Sequence, residues 1–455
     1  MTQDQKKAFR KELLSLAVPL ALQNLLHALV GASDALMLGR LNQASIAAVS
    51  LANQISFVMS LFTGAIVGGA GVLVAQYWGK KDYLNARRFF AMSIRYVIGI
   101  SLVFSFAAVF FPAELIGLFT PDAELIRIGA SYLRIVAFSY LFSSLSGCYL
   151  MMMKVDGRVR MSLIISAVTV SVDMVADIFL IYGIGKWPGL GADGSAYSTI
   201  AVEIIALTIC IVESYQKDHV HPDRKSLTFF SAAFEKDLWK VVPGILAASL
   251  CWGLSLPTHA FILGHLGTDA TAASSVAYLV QQLTGVLTHG LASGAGIIIG
   301  KLLGQDRFEE AKLYGKRFFR VSAISGLINI GFIAVIGPLA YVFYALKPQA
   351  KKYLVYMLLY SIPYVFGYSY NTIFTCGVLP AGGDSRYDAY SVLVATWVIA
   401  IPLSLLACFV FHWPVMAVYM IMCCDEIIKF PFLRLRFNTY IWLKNLTRND
   451  AEITS

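Results

Sequence analysis

Hydrophobic residues fall along this chain in long runs, each set off from the next by a short polar or charged stretch. Twelve of the runs reach the roughly 20 residues that a helix needs to cross a bilayer. They cover 12–38, 45–78, 89–112, 124–153, 161–184, 194–215, 239–263, 270–302, 318–345, 349–378, 387–411 and 414–432. Pro19, Gly64, Gly68, Gly69, Pro243, Pro363 and Pro402 lie inside these runs. Such residues are tolerated in membrane helices, where they mark close packing or bends.

The pattern also repeats. Shifted by 225 residues, Ala35 meets Ala260, Gly39 meets Gly264, Ala47 and Ala48 meet Ala272 and Ala273, and Ser50 meets Ser275. Gly69-Ala70-Gly71 then meets Gly294-Ala295-Gly296, Gly79 meets Gly304 and Gly157 meets Gly382. A duplicated unit of six helices enters the membrane the same way each time, so the two copies are parallel repeats of the kind that build transporters. The reading is an all-α integral membrane protein of twelve transmembrane helices, in two pseudo-symmetric six-helix lobes around a central cavity. Residues 1–216 form the N-terminal lobe, 217–237 the inter-lobe linker, 238–432 the C-terminal lobe and 433–455 a basic tail. The match fails where Asp34 meets His259 and Asp177 meets Pro402. On this reading the buried acids belong to one half only.

Composition agrees with a membrane protein: 58% of residues are hydrophobic and only 14% charged. Of the 36 Lys and Arg residues, 28 fall on the side that holds both termini and six on the other, Arg40, Arg127, Lys186, Lys347, Lys351 and Lys352. That asymmetry predicts cytoplasmic termini in a multi-pass protein of the cell (inner) membrane. The net charge of +9 is therefore a topology signal and does not point to nucleic acid. Met1 to Lys11 is polar and offers no cleavage site, so the first helix is expected to remain in the mature protein. Seven cysteines without C-x-x-C spacing read as small core residues.

Acids within membrane helices are costly and commonly face an ion path. At about 1.5 Å rise per residue, Asp34, Asp177 and Thr199 share a depth on the first, fifth and sixth helices. Asp173 and Glu203 lie one turn deeper, each four residues from its partner and on the same face. Gln23, His27 and Asp34 form a stripe on the first helix. In the second half, Trp252, Ser255 and His259 share a helical face, and Gln281, Gln282, Thr288 and His289 stud the next helix. Tyr356, Tyr360, Tyr364 and Tyr368 recur at four-residue steps with Asn371 beyond. Such a wall suits flat or cationic solutes through stacking and cation–π contact. Trp252, His259, Gln281, Gln282, Tyr360, Tyr364, Tyr368 and Asn371 are therefore the expected substrate-facing residues.

Asp34-Ala-Leu-Met-Leu-Gly39-Arg-Leu with Ala47-Ala48, and Val175-Ala-Asp177-Ile-Phe-Leu-Ile, resemble the first- and fifth-helix motifs of multidrug and toxic compound extrusion (MATE) transporters. Ala381-Gly-Gly-Asp384, Trp397, Ile401-Pro402-Leu403 and Asp425-Glu-Ile-Ile-Lys429 continue the resemblance along the chain. It implies export of amphipathic, often cationic compounds in exchange for H⁺ or Na⁺. Asp34 and Asp177 match the family's cation-site acids, and Ser195 and Thr199 match its sixth-helix pair; Asp34, Asp177 and Thr199 are the implied ligands of any Na⁺. Asp173 stands where many relatives have Asn. Three carboxylates gathered in a low dielectric repel one another, which tips the expected coupling ion towards H⁺, with Na⁺ competing at the same site. Ser249 and Val392 stand where some relatives carry acids in the second half, and Asp388 lies one turn from Val392.

The runner-up is a flippase for a lipid-linked anionic saccharide, which calls for basic residues facing the cavity, and the arginines assigned to the interior of spans are only Arg95 and Arg134. A membrane-embedded enzyme is a further alternative, but no zinc spacing, nucleophile elbow or H-E-x-x-H supports it. No G-x-x-x-x-G-K-S/T occurs, so neither ATP nor any other cofactor is expected. The expected partners are the exported small molecule and membrane lipid, with the chain acting as a monomer.

Overall fold

The structure, a computed structural model, describes residues 3–184, 187–216, 219–344 and 346–448. Lys186, residues 217–218 of the linker and 449–455 of the basic tail lie outside the described residues. Every predicted apolar run coincides with a helix or a broken helix. These are α1 (Gln3–Leu41), α2 (Gln43–Gly79), α3 (Tyr83–Phe110) and α4, which is Ala123–Val136 and Ser139–Asp156 meeting at a 48° bend. There follow α5 (Val159–Tyr182), α6 (Ala192–Ser214), α7 (Ala232–His265), α8 (Thr268–Gly304), α9 (Phe308–Phe343), α10 (Pro348–Ile373) and α11 (Ser385–Val410). The last, α12, is broken at Cys423 into Val415–Met422 and Cys424–Asn438.

Among the described residues nine helices, or ten counting the bent α4 as one span, are long and apolar enough to cross a membrane. The other two expected spans fall short for visible reasons: α10 carries the polar-tipped tyrosine row, and the two pieces of α12 are 8 and 15 residues long.

The duplication seen in the sequence reappears in the backbone. Helices α2 and α8 both contain 37 residues, and their termini, Gln43 with Thr268 and Gly79 with Gly304, obey the 225-residue shift. The turn that follows each helix places Lys81 at φ 65° and Asp306 at φ 57°, another equivalent pair. Left-handed backbone at two non-glycine residues is uncommon, so its recurrence marks a turn geometry inherited by both copies.

The chain divides into two compact units. One contains Gln23–Phe234, and the other contains Met1–Leu22 together with Glu235–Ser455. The division falls within α1 and near the start of α7. In the second unit, Phe9 packs edge-on against Tyr314 and Phe318 of α9 at centroid distances of 4.7 and 5.3 Å. In the first unit the segment after α6 is docked on α3. Arg95 donates to the Phe229 carbonyl at 2.7 Å, and Phe234 stacks on Phe89 at 4.6 Å. Asp223 accepts from the Ser226 main-chain N–H at 2.9 Å, and its bonds to Ser226 hold its carboxyl below the usual carboxylate range.

The segment 436–448 is equally fixed. Trp442 is fully buried and stacks on Phe437 at 5.2 Å, Arg448 makes a two-bond pair with Asp237, and Arg436 makes another with Asp384 at 2.7 and 2.8 Å. The Asp384 carboxylate holds the Arg436 guanidinium above its ordinary pKa. Gly382 permits this docking, because a Cβ there would lie 1.5 Å from the Trp442 carbonyl oxygen.

Candidate functional site

In the unit Gln23–Phe234, α1 and α5 bring Asp34, Asp173 and Asp177 together, with α6 alongside. One carboxylate oxygen from each lies within 4.8 Å of the others. Asp173 and Asp177 are one turn apart on α5, so both face the same way, and they are 7% and 1% exposed. The close approach of α6 to α5 depends on Gly194, where a Cβ would lie 2.4 Å from the Leu180 carbonyl oxygen. The long α5–α6 connection is taken up by a two-residue antiparallel pair, Gly183 with Pro188 and Ile184 with Trp187.

The three acids are unequally served. Asp173 Oδ1 accepts from Ser198 Oγ at 3.1 Å, whereas neither oxygen of Asp177 has a hydrogen-bond partner. Burying a carboxylate without donors is expensive unless a proton or a metal ion completes it. The geometry therefore fits a small cation. The donors present, three carboxylates and neighbouring hydroxyls, are hard oxygen ligands suited to H⁺ or an alkali ion.

Not every predicted site residue joins this group. Thr199 Oγ1 donates to the Ser195 carbonyl in its own helix at 3.0 Å, and it is the adjacent Ser198 that reaches an acid. Ser195 itself is buried, and Glu203 is half-buried within electrostatic reach of Asp173. Gln23 is bound elsewhere, donating to Ser166 Oγ at 2.8 Å and accepting from Ser162 Oγ at 3.4 Å, while His27 is exposed. Sequence reasoning overlooked Ser198 and Tyr132, the latter a buried residue of α4 within electrostatic reach of all three acids. The serine one residue before Thr199 on the same helix was the available signal.

In the other unit the tyrosine row is partly as expected. Tyr364 and Tyr368 stack at 6.1 Å, and Tyr368 Oη meets His289 Nε2 at 2.7 Å. Tyr360 packs against the apolar core. Gln281 donates to Ser361 Oγ at 2.7 Å and Gln282 to Tyr278 Oη at 2.7 Å. Trp252 is exposed, and His259 Nε2 is buried without a partner. Asn371 departs from the row: it is buried, with its amide nitrogen on Glu426. The reading that buried acids belong to one half only is corrected here. Asp425 and Glu426 of α12 are buried too, beside a buried Lys429.

Membrane-crossing helices in duplicated sets, with acids converging inside one set, define a membrane transporter. The family model MatE matches residues 19–179 and again 243–406, one copy in each half. YisQ of Bacillus subtilis, an uncharacterised transporter, is 23% identical over 95% of both chains. A probable multidrug resistance protein NorM of Agrobacterium fabrum is 24% identical over 87% of this chain and 86% of its own. Among solved structures, a MOP superfamily transporter from Pyrococcus furiosus superposes with a TM-score of 0.86 at 15% identity, over 95% of this chain and 96% of the other. A MATE structure in the straight conformation gives 0.85 at 16% identity, over 95% and 96%. The chain belongs to the MatE family and is a multi-pass membrane transporter, as its motifs led us to expect.

Proposed function

We propose that this protein is a cation-coupled antiporter that exports amphipathic, often cationic, drugs or metabolites by alternating access. It sits in the inner membrane with both termini in the cytoplasm. Asp34, Asp173 and Asp177 take the coupling ion, H⁺ before Na⁺, and the exposed aromatic and amide groups of α7, α8 and α10 meet the solute. The observation that carries this reading is the convergence of three carboxylates from two helices that are far apart in sequence, with no ion pair to any of them among the described residues. Relatives named as probable multidrug resistance proteins support the choice of cargo.

Of the two arginines that the lipid-linked saccharide reading relies on, Arg95 is occupied by the Phe229 carbonyl and the Phe230 ring.

Proteoliposomes loaded with a cationic dye test the proposal. Efflux is expected on an imposed pH gradient in Na⁺-free buffer, and Asp173→Asn is expected to increase the response to Na⁺. Strict Na⁺ dependence of the unmodified protein would refute the ion assignment, and absence of dye movement under either gradient would refute the cargo class.

A further inference from the structure

The first turns of α3 and the segment that follows α6 build a cationic face that the coupling site leaves unused. Three contacts lay residues 223–230 along α3. Arg87 pairs with Asp223 at 3.6 Å, the Arg88 guanidinium lies 3.9 Å over the Phe229 ring, and Arg95 donates to the Leu227 and Phe229 carbonyls at 3.5 and 2.7 Å. Arg224–Thr228 forms a short helical turn there, capped by Asp223. The Phe230 ring, 4.8 Å from the Arg95 guanidinium, is left 77% exposed.

Charge and apolarity follow one another in a fixed order on this face. Residues 80–95 and 223–230 carry seven Lys and Arg residues against two acids, Asp82 and Asp223. Arg224 and Lys225 are exposed, and neither is paired with an acid among the described residues. Along α3, Arg88, Arg95, Leu102, Phe106 and Phe110 recur at seven- and four-residue steps and so share one side of the helix. Leu102, Phe106 and Phe110 are 52, 58 and 62% exposed. On a membrane-spanning helix a stripe of large exposed apolar side chains meets acyl chains. Cations at the end of such a stripe stand at headgroup depth, and an exposed Phe beside them suits insertion at the interface.

We infer that residues 223–230 and the first turns of α3 bind an anionic phospholipid of the leaflet at that end of the helices, its phosphate held by Arg224 and Lys225 and its acyl chains laid against Phe230 and the Leu102–Phe106 stripe. A ligand with an anionic head joined to long apolar tails complements both parts of the face. A soluble anion leaves the stripe uncovered, and a zwitterionic lipid gains little from the surplus of cations. Arg88 and Arg95 are positioning residues: one stacks on the Phe229 ring and the other binds its carbonyl, so together they fix the segment that carries the headgroup contacts. Their charges add to the field that attracts the lipid. Bound there, the lipid fastens the connection after α6 to the bilayer surface.

The test uses the full-length protein. Binding of phosphatidylglycerol and of phosphatidylcholine is compared by native mass spectrometry, and hydrogen–deuterium exchange in nanodiscs of each lipid locates the contact. Phosphatidylglycerol is expected to bind more tightly and to slow exchange over residues 223–230 relative to phosphatidylcholine. The double change Arg224→Gln/Lys225→Gln is expected to weaken phosphatidylglycerol about 30-fold and to leave phosphatidylcholine unchanged, whereas Arg224→Lys/Lys225→Arg retains the affinity. Both residues are exposed, so these variants keep the fold. The inference is overturned if the two lipids bind equally, or if the double Gln variant keeps full affinity. It is also overturned if soluble glycerol phosphate displaces the lipid, which would assign the cations to a free phosphate. Slowed exchange over 223–230 in lipid-free dimers would overturn it as well, by assigning the face to a second copy of the chain. Dye efflux is not the readout, so these outcomes are independent of the antiport reading.

Discussion

Two groups of buried acids sit in this transporter, and they are neutralised in opposite ways. Asp34, Asp173 and Asp177 converge with no lysine or arginine paired to them among the described residues, and Asp177 lacks even a hydrogen-bond donor. Asp425 and Glu426 are held by Thr396, Asn371 and the internal cation Lys429. On the proposed function, the first group is the one whose charge the coupling ion would balance. The second already carries part of its own counter-charge. Duplication supplied equivalent helices to both halves, and the acids in the two halves differ in their partners.

The largest expected effect separates the groups by function. Asp34→Asn and Asp177→Asn each reduce gradient-driven dye efflux in vesicles to background while the protein still inserts. Stability should then divide the groups with the opposite sign. Removing Lys429 leaves Glu426 buried and uncompensated, so Lys429→Met is expected to cost about 3–5 kcal/mol in detergent unfolding. The double change Lys429→Met/Glu426→Gln should recover most of that loss. Asp177→Asn strands no partner and should leave the unfolding midpoint unchanged or raised. If Lys429→Met proves neutral and Asp177→Asn destabilising, the contrast is reversed.

A smaller effect concerns the clamp over the unit that holds the second group. Gly382→Ala drives a methyl group into the Trp442 carbonyl and is expected to cost about 1–3 kcal/mol, with faster protease cleavage after Tyr440. Smallest is Ser198→Ala, which removes the donor to Asp173 and should cost about 1 kcal/mol, read as a modest change in the ion dependence of efflux.

The fold was legible in the sequence because its signals are long-range and redundant. Apolar runs of span length and a gapless repeat specify the helices, and the ends of α2 and α8 keep the 225-residue shift to the residue. The acids of α1 and α5 were legible because an isolated charge in an apolar run has few innocent explanations. Two things escaped. Depth along a helix identified Thr199, but rotation about the axis, which depends on how α6 packs at Gly194, turned Ser198 to Asp173 instead. The acids of α12 lay near the end of the last apolar run, so Asp425-Glu426 with Lys429 read as a family signature followed by a basic tail. Their burial comes from packing of α12 against α10 and α11, through Asn371 and Thr396 respectively, a tertiary fact without a local pattern.

The central claim is that Asp177 couples an ion gradient to solute movement. The most direct test compares two assays on one Asp177→Asn preparation in proteoliposomes: dye exchange at equilibrium without a gradient, and net dye efflux driven by an imposed pH or Na⁺ gradient. The account predicts that exchange persists and gradient-driven efflux is lost. Gradient-driven efflux at the unmodified rate would contradict it.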